Sequence, residues 1–323
     1  MKKIILHFFY VSFFIFLLIL LFLNSSSISQ TIQTAFVIWK ENLFPTLFPI
    51  FVISEILIAL GFIPFLGTIF HPFIVRFLKL HKNASYILFL SMLTGFPSSA
   101  KYISQLYQNK ELDYKNASKI LLFSHFSNPL FIIATIATTF LNNTSIIPLL
   151  FISHYLPNFL LIIFLSFKSP SKKENIKFSF YNATKAMYDN YSKDKKSFGA
   201  ILGRAITGSI NTLLLILGSI SIFLVFTTVF NSIVTLPSTI QAIINGMLEM
   251  SQGLKCISLL SISLRLKVVL SVMIISFGGF CVHLQIMSIL SDTKIKYFPF
   301  FIARLYHTIL SGIIAYFLFP LFN

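Results

Sequence analysis

Apolar runs of about twenty residues recur from one end of this chain to the other, and charged residues collect in the short stretches between them. A run of that length is what a helix needs to cross the hydrocarbon core of a bilayer. Of the 323 residues 56% are hydrophobic and 11% charged, with a mean hydropathy of +0.86. Soluble domains carry about a quarter charged residues. The fold class that follows is an all-α polytopic membrane protein. The net charge of +16 could point to nucleic acid, but the basic residues form no patch with interleaved aromatics. They sit in loops, the pattern of the positive-inside rule, so the basic balance sets orientation and no nucleic-acid partner is expected.

Loop charge also gives the expected path of the chain. Residues 4–23 follow Lys2 and Lys3 and read as an uncleaved anchor with a cytoplasmic N-terminus. Residues 33–62, broken by Pro45 and Pro49, bring the chain back inside, where Arg76, Lys79 and Lys82 follow. Residues 84–109 then have basic flanks on both sides, with Lys110, Lys115 and Lys119 after them, so a re-entrant hairpin turning at Gly95-Phe-Pro97 is expected rather than a crossing. Non-helical backbone at that depth is tolerated only where protein or water covers it, so such a tip marks a cavity. Residues 115–141 go outward with a break at Asn128-Pro129, and 146–167 return. The hydrophilic stretch 168–197, with Lys168, Lys172, Lys173, Lys177, Lys185, Lys193, Lys195 and Lys196, reads as a solvated cytoplasmic connector. Residues 199–230 go out, 238–262 form a second hairpin, 268–290 come in and 300–319 go out. On this path the chain makes about seven crossings and two hairpins. Of the 25 Lys and Arg, only Lys40, Lys255, Arg265 and Lys267 are not cytoplasmic.

Residues 84–136 and 238–290 read as two versions of one segment at a constant offset of 154. Ser91-Met-Leu-Thr-Gly-Phe-Pro-Ser-Ser-Ala-Lys101 falls over Asn245-Gly-Met-Leu-Glu-Met-Ser-Gln-Gly-Leu-Lys255, and Phe126-Ser-Asn-Pro-Leu130 over Phe280-Cys-Val-His-Leu284. Each unit has the order broken helix, hairpin, broken helix, helix, and three crossings between the unit starts make the two antiparallel. Residues 1–33 are then an anchor and outer loop, 34–167 repeat one, 168–198 a basic cytoplasmic loop and 199–323 repeat two. Inverted repeats of this kind place a transporter's site at the bilayer midplane, where half-helix ends converge.

The strings Leu43-Phe-Pro-Thr-Leu-Phe-Pro49 with Ser54-Glu55, Thr94-Gly-Phe-Pro-Ser-Ser-Ala-Lys101, Ser127-Asn-Pro129, Gly246-Met-Leu-Glu-Met-Ser-Gln-Gly253 and Gly278-Gly-Phe-Cys-Val-His-Leu-Gln285 resemble the YlbJ sporulation membrane proteins. Those belong to the nucleoside recognition (Gate) domain superfamily, and the resemblance spans residues 39–318. It implies a fold similar to the half-transporter cores of concentrative nucleoside carriers, with a role in moving dipicolinic acid across the mother-cell-derived membrane of the spore. A nucleoside or another metabolite is the rival cargo. A non-transporting assembly protein, its breaks serving only to pack helices, is the rival class.

The expected partners are the lipid bilayer and a small-molecule anion. Helix N-termini at hairpin tips present free N–H groups that attract negative charge. Ser98 and Ser99 follow Pro97 at such a start, and Gln252 occupies the matching place in unit two. Lys101 and Lys255, equivalent at offset 154, are expected to take the carboxylates of a dianion, unless each snorkels to its own surface. Ser127 and Asn128 beside Pro129, whose ring frees a carbonyl, are polar candidates, with His283 and Gln285 at the corresponding break. Glu55 and Glu249 are the carboxylates deep in apolar runs, and such residues default to function. Glu249 suits coupling or substrate recognition, while Glu55 suits pairing with a basic or backbone group to hold its helix. Arg204 and Arg304 are expected to snorkel. Cys256 and Cys281 lie in apolar stretches without metal-ligand spacing, and no metal, cofactor or enzyme signature is present.

Overall fold

The computed structural model describes residues 2–70, 72–73, 79–81, 83–167, 179–193 and 196–322. Arg76, Lys82, Lys168, Lys172, Lys173, Lys177 and Lys195, which enter the charge argument, lie outside the described residues. Among the described residues there are helices and no strand.

Helix α1 (Lys2–Leu23) is apolar on every side and exposed along most of its length, as befits a helix solvated by lipid. Next, α2 (Ser25–Ile38) runs through a π-turn (Trp39–Leu43) into α3 (Phe44–Ala59). The ladder shifts just ahead of Pro45, and Pro49, which lacks an N–H, sits inside α3. After α4 (Phe62–Ile69), the first hairpin consists of α5 (Ala84–Thr94) and α6 (Ser98–Gln108). Helix α7 (Tyr114–Phe123) ends in an unwound stretch, residues 124–128, before the π-helical Phe131–Phe140 and then α8 (Ile147–Phe167).

Past α9 (Phe180–Lys193), the second half contains α10 (Phe198–Ile233), hairpin α11 (Ser238–Leu248) and α12 (Met250–Leu259), the broken pair α13 (Leu264–Phe277) and α14 (Gly279–Leu290), and α15 (Tyr297–Leu318). Among the described residues, five stretches are long and apolar enough to cross a membrane: Ser25–Ala59, Ile147–Phe167, Phe198–Ile233, Leu264–Leu290 and Tyr297–Leu321. The other two crossings read from the sequence fall on α1 and on α7 with its π-helical continuation. Each arm of the hairpins has 10 or 11 residues, about 16 Å at 1.5 Å per residue and half the thickness of a bilayer core.

The halves pack as counterparts. Helices α2 and α3 pack along α10, α8 packs along α15, α6 touches α14, and α12 touches Phe131–Phe140. The first two pairs join matching elements, and the last two cross reciprocally, as a pseudo-two-fold axis requires. Side-chain contacts fix the direction. Thr31 meets Thr228 at 2.8 Å while Trp39 Nε1 donates to the Leu213 carbonyl, so partner numbers fall as chain numbers rise. His307 meets His154 and Arg304 meets Asn158, in the same descending order. Counterpart helices therefore run antiparallel.

Three features depart from the sequence reading. Helix α10 is continuous over 36 residues, where a broken first helix was expected in unit two. The 168–197 connector contains α9, an amphipathic helix packed on α4, with Ala183 buried and Tyr181 and Tyr188 exposed. The offset of 154 also fails beyond each break. Thr94 and Leu248 end the first hairpin arms, and Phe123 and Phe277 end the first halves of the broken helices, all at that offset. But the first tip spends three residues turning and the second only Glu249, while the first break spends five residues and the second only Gly278. Lys101 is thus the fourth residue of α6 and Lys255 the sixth of α12, on different faces of their helices at 3.6 residues per turn.

Candidate functional site

Each hairpin tip rests against the break of its own unit. In unit one Gly95 has φ +75°, and a Cβ there would lie 2.6 Å from the Asn128 nitrogen. The Phe96 N–H donates to the Phe126 carbonyl at 2.8 Å, and Asn128 Nδ2 donates to the Leu93 carbonyl at 2.9 Å. In unit two Gly279 has φ +69°, and a Cβ there would lie 3.2 Å from the Met250 nitrogen. Only glycine combines that dihedral with so close a backbone approach.

Asn128 is the N-cap of the helix beyond the break: its Oδ1 accepts from the Leu130 and Phe131 N–H groups at 2.8 and 3.2 Å. Pro129 stands in the first helical position, where its missing N–H has no intrahelical partner to lose. It begins a helix, rather than freeing a carbonyl within one as the sequence reading had it. Glu249 caps α12 in the same manner, accepting from Ser251 N–H at 3.1 Å and Gln252 N–H at 2.8 Å. A carboxylate there meets the positive end of the helix dipole.

Between the two tips lies a cavity of about 40 Å³. Its polar lining comes from both units: Ser127 and Asn128 from the first break, Glu249 from the second tip, Cys281 and Gln285 from α14. Leu47 of α3 and Ile216 of α10 are among its apolar walls. The Ser127 hydroxyl is buried without a partner, as are that of Ser99 and the amide oxygen of Gln252.

The other residues singled out in the sequence lie elsewhere. Ser98 and Ser99 are buried at the start of α6, away from the cavity lining. Lys101 Nζ reaches Glu55 Oε1 at 2.5 Å and Thr212 Oγ1 at 3.3 Å, so it is engaged within the protein. Lys255 is exposed. Two lysines that an ungapped alignment makes equivalent are separated by the shorter second tip. His283 is the fifth residue of α14, not part of the break. Its Nε2–H donates to the Phe277 carbonyl at 3.0 Å and its Nδ1 accepts from the Tyr297 hydroxyl at 2.7 Å, so it closes the end of α13.

No family model matches the chain, and no solved structure matches it. Sporulation integral membrane protein YlbJ of Bacillus subtilis (strain 168) is 32% identical over 330 aligned residues, covering 94% of this chain and 79% of that protein. The chain belongs to the YlbJ family.

In this YlbJ-family chain the unwound stretch is held by a buried cluster that the sequence reading missed. Arg304 is fully buried in α15, not snorkelling at a helix end. Its Nη2 donates to the Leu122 carbonyl and to Asn158 Oδ1, its Nη1 to the His125 carbonyl at 3.4 Å and to His307 Nδ1 at 2.7 Å. Arg304 thus places a cation on the carbonyls that α7 leaves open at its C-terminus, where the helix dipole favours positive charge. His307 Nε2–H donates to the His154 carbonyl at 2.6 Å. His154 Nε2 accepts from the Ser127 N–H at 2.8 Å, so its Nδ1 carries the proton toward Ser276 Oγ at 2.9 Å. Each of these two imidazoles gives one proton and takes one, which makes both neutral. Asn158 Nδ2 completes the set on the His125 carbonyl at 2.7 Å. The missed signal was available: Arg304 lies eight residues into an apolar helix of 22, and an ionisable residue so placed defaults to a structural or functional role in the interior.

Proposed function

We propose that this YlbJ-family chain is a multi-pass transporter or facilitator in the cell membrane, its N-terminus cytoplasmic, and that it moves a small organic anion, dipicolinic acid, during sporulation. The cavity between the two hairpin tips supports the reading. It is lined by polar groups from both inverted units, at the place where half-helix ends converge in such carriers. The likeness to a sporulation integral membrane protein supports the setting; the cargo is proposed from what the resemblance of the sequence strings implies. At about 40 Å³ the cavity is far below the roughly 300 Å³ at which small-molecule pockets begin, so on this reading the hairpins part for cargo to enter.

Asn128, Ser127 and Gln285 would hold the cargo by hydrogen bonds, and Glu249 faces it. A carboxylate against a dianion is repulsive, so on this reading Glu249 takes up a proton as the anion enters, and cargo and proton move together. Dipicolinate uptake into proteoliposomes tests the proposal: uptake should exceed that of empty liposomes, rise as the pH falls, and lose its pH dependence in Glu249→Gln. No uptake above empty liposomes at any pH contradicts it. A neutral hydrogen-bonding cargo such as a nucleoside is the second reading, favoured by a cavity lining that has no cation among the described residues. Uptake of uridine, but not of dipicolinate, would select it.

A further inference from the structure

A second and much larger chamber, about 650 Å³, opens beside α3, α5, α6 and the start of α10. Its wall carries the cations Lys193, Lys196 and Arg204, the carboxylates Glu55 and Glu111, and the amides of Gln105 and Asn109. Tyr86, wholly buried and with its hydroxyl unpartnered, also lines it and packs on Tyr102 at a ring separation of 5.6 Å. With Glu55 taken up by Lys101, the three cations of the wall outnumber the one remaining carboxylate, Glu111, and with the amide donors and an unused hydroxyl they fit a carboxylate-bearing molecule with an apolar ring.

The chamber and the tip cavity are ordered along the same two helices. On α3 and the π-turn before it, Glu55 lines the chamber and Leu47 and Leu43 line the cavity, with buried Phe51 between them. On α10, Arg204 lines the chamber and Ile216 and Ile220 line the cavity. Thr212 lies between those levels, and there Lys101 bridges α3 to α10 through Glu55 and Thr212. Both side chains of the ion pair are about one-fifth exposed; Glu55 borders the chamber, and its partner Lys101 ties it to α10 at the level between chamber and cavity.

We infer that the chamber is a second binding site, an entry station for small aromatic carboxylates, and that the Lys101–Glu55 pair is its inner latch. The inference deepens the transport reading and rests on it for the direction of movement. Arriving carboxylate replaces Glu55 as the partner of Lys101, α3 is released from α6 and α10, and the way to the tip cavity opens. No bond is made or broken beyond this exchange of ion-pair partners.

Cys281, native and buried, lines the tip cavity and reports the latch without any transport assay. In the full chain carrying Cys256→Ser, a small charged methanethiosulfonate should modify Cys281 slowly. Glu55→Gln and, separately, Lys101→Met should each speed modification about tenfold or more, since removing one partner of a poorly solvated pair frees the other. The exchanged pair, Glu55→Lys with Lys101→Glu, should be slow again. Dipicolinate should accelerate modification in the unexchanged protein, less so in Arg204→Gln. Unchanged labelling in both single variants, or fast labelling in the exchanged pair, overturns the latch; no acceleration by dipicolinate overturns the entry station. Latch behaviour without uptake would leave the latch standing and remove the transport reading.

Discussion

Arg304 shows what a single buried residue does here. Its guanidinium serves the Leu122 and His125 carbonyls, Asn158 and His307 together, a planar fork that an ammonium cannot copy. Arg304→Ala strands those acceptors and should cost roughly 3 kcal/mol or more, read as a lowered melting temperature in detergent; Arg304→Lys should recover little of it. Asn128→Ala removes the cap on Leu130 and Phe131 and the tie to Leu93, at about 1–2 kcal/mol, measured in the same way. Outside the membrane, Asp113 caps α7 by accepting from the Asn116 N–H at 2.7 Å. That backbone bond is the first cause of its lowered carboxyl pKa. A carboxyl held below its unfolded value stabilises above that value and stops doing so as the pH falls through the folded one. The protection factor of the Asn116 amide, its exchange relative to the unstructured rate at the same pH, should therefore fall below about pH 4, and should lose that step in Asp113→Asn. The candidate carboxylates were legible as isolated charges in apolar runs, and Glu55 does pair with a basic residue. That the residue is Lys101 was not legible, because the pairing depends on how far α6 is rotated after its tip.

At the scale of elements, the hairpins and breaks were legible because glycine, proline and small polar residues interrupt apolar periods at Gly95-Phe-Pro97, Asn128-Pro129 and Gly278-Gly279. The lengths of the interruptions were not. An ungapped offset carries a three-residue turn onto a one-residue turn, and the start of the arm that follows slips by two, enough to put Lys255 on the outer face while Lys101 faces Glu55. Helix α9 escaped because its short apolar face, around Ala183 and Met187, is set in lysines that read as loop. The second hairpin owes its narrowness to Gly246 and Gly253, which face each other so closely that a Cβ on Gly253 would overlap the Gly246 Cα. Gly253→Ala should spread α11 from α12 and destabilise by about 1–3 kcal/mol through overpacking, while Gly203→Ala, which meets nothing within 4 Å, should not.

For the whole molecule, two antiparallel units bring both tips and the first break around one small cavity, while a much larger chamber lies beside it. That arrangement is what a carrier caught between states would show, and its central claim is that cargo passes through the tip cavity. Cys281, placed there by α14, allows the claim to be checked directly. Dipicolinate uptake is measured in proteoliposomes of the Cys256→Ser protein before and after a thiol reagent has modified Cys281, with Cys281→Ser as the control. The account predicts that modification abolishes uptake and that Cys281→Ser is insensitive to the reagent. Undiminished uptake with Cys281 fully modified would contradict it.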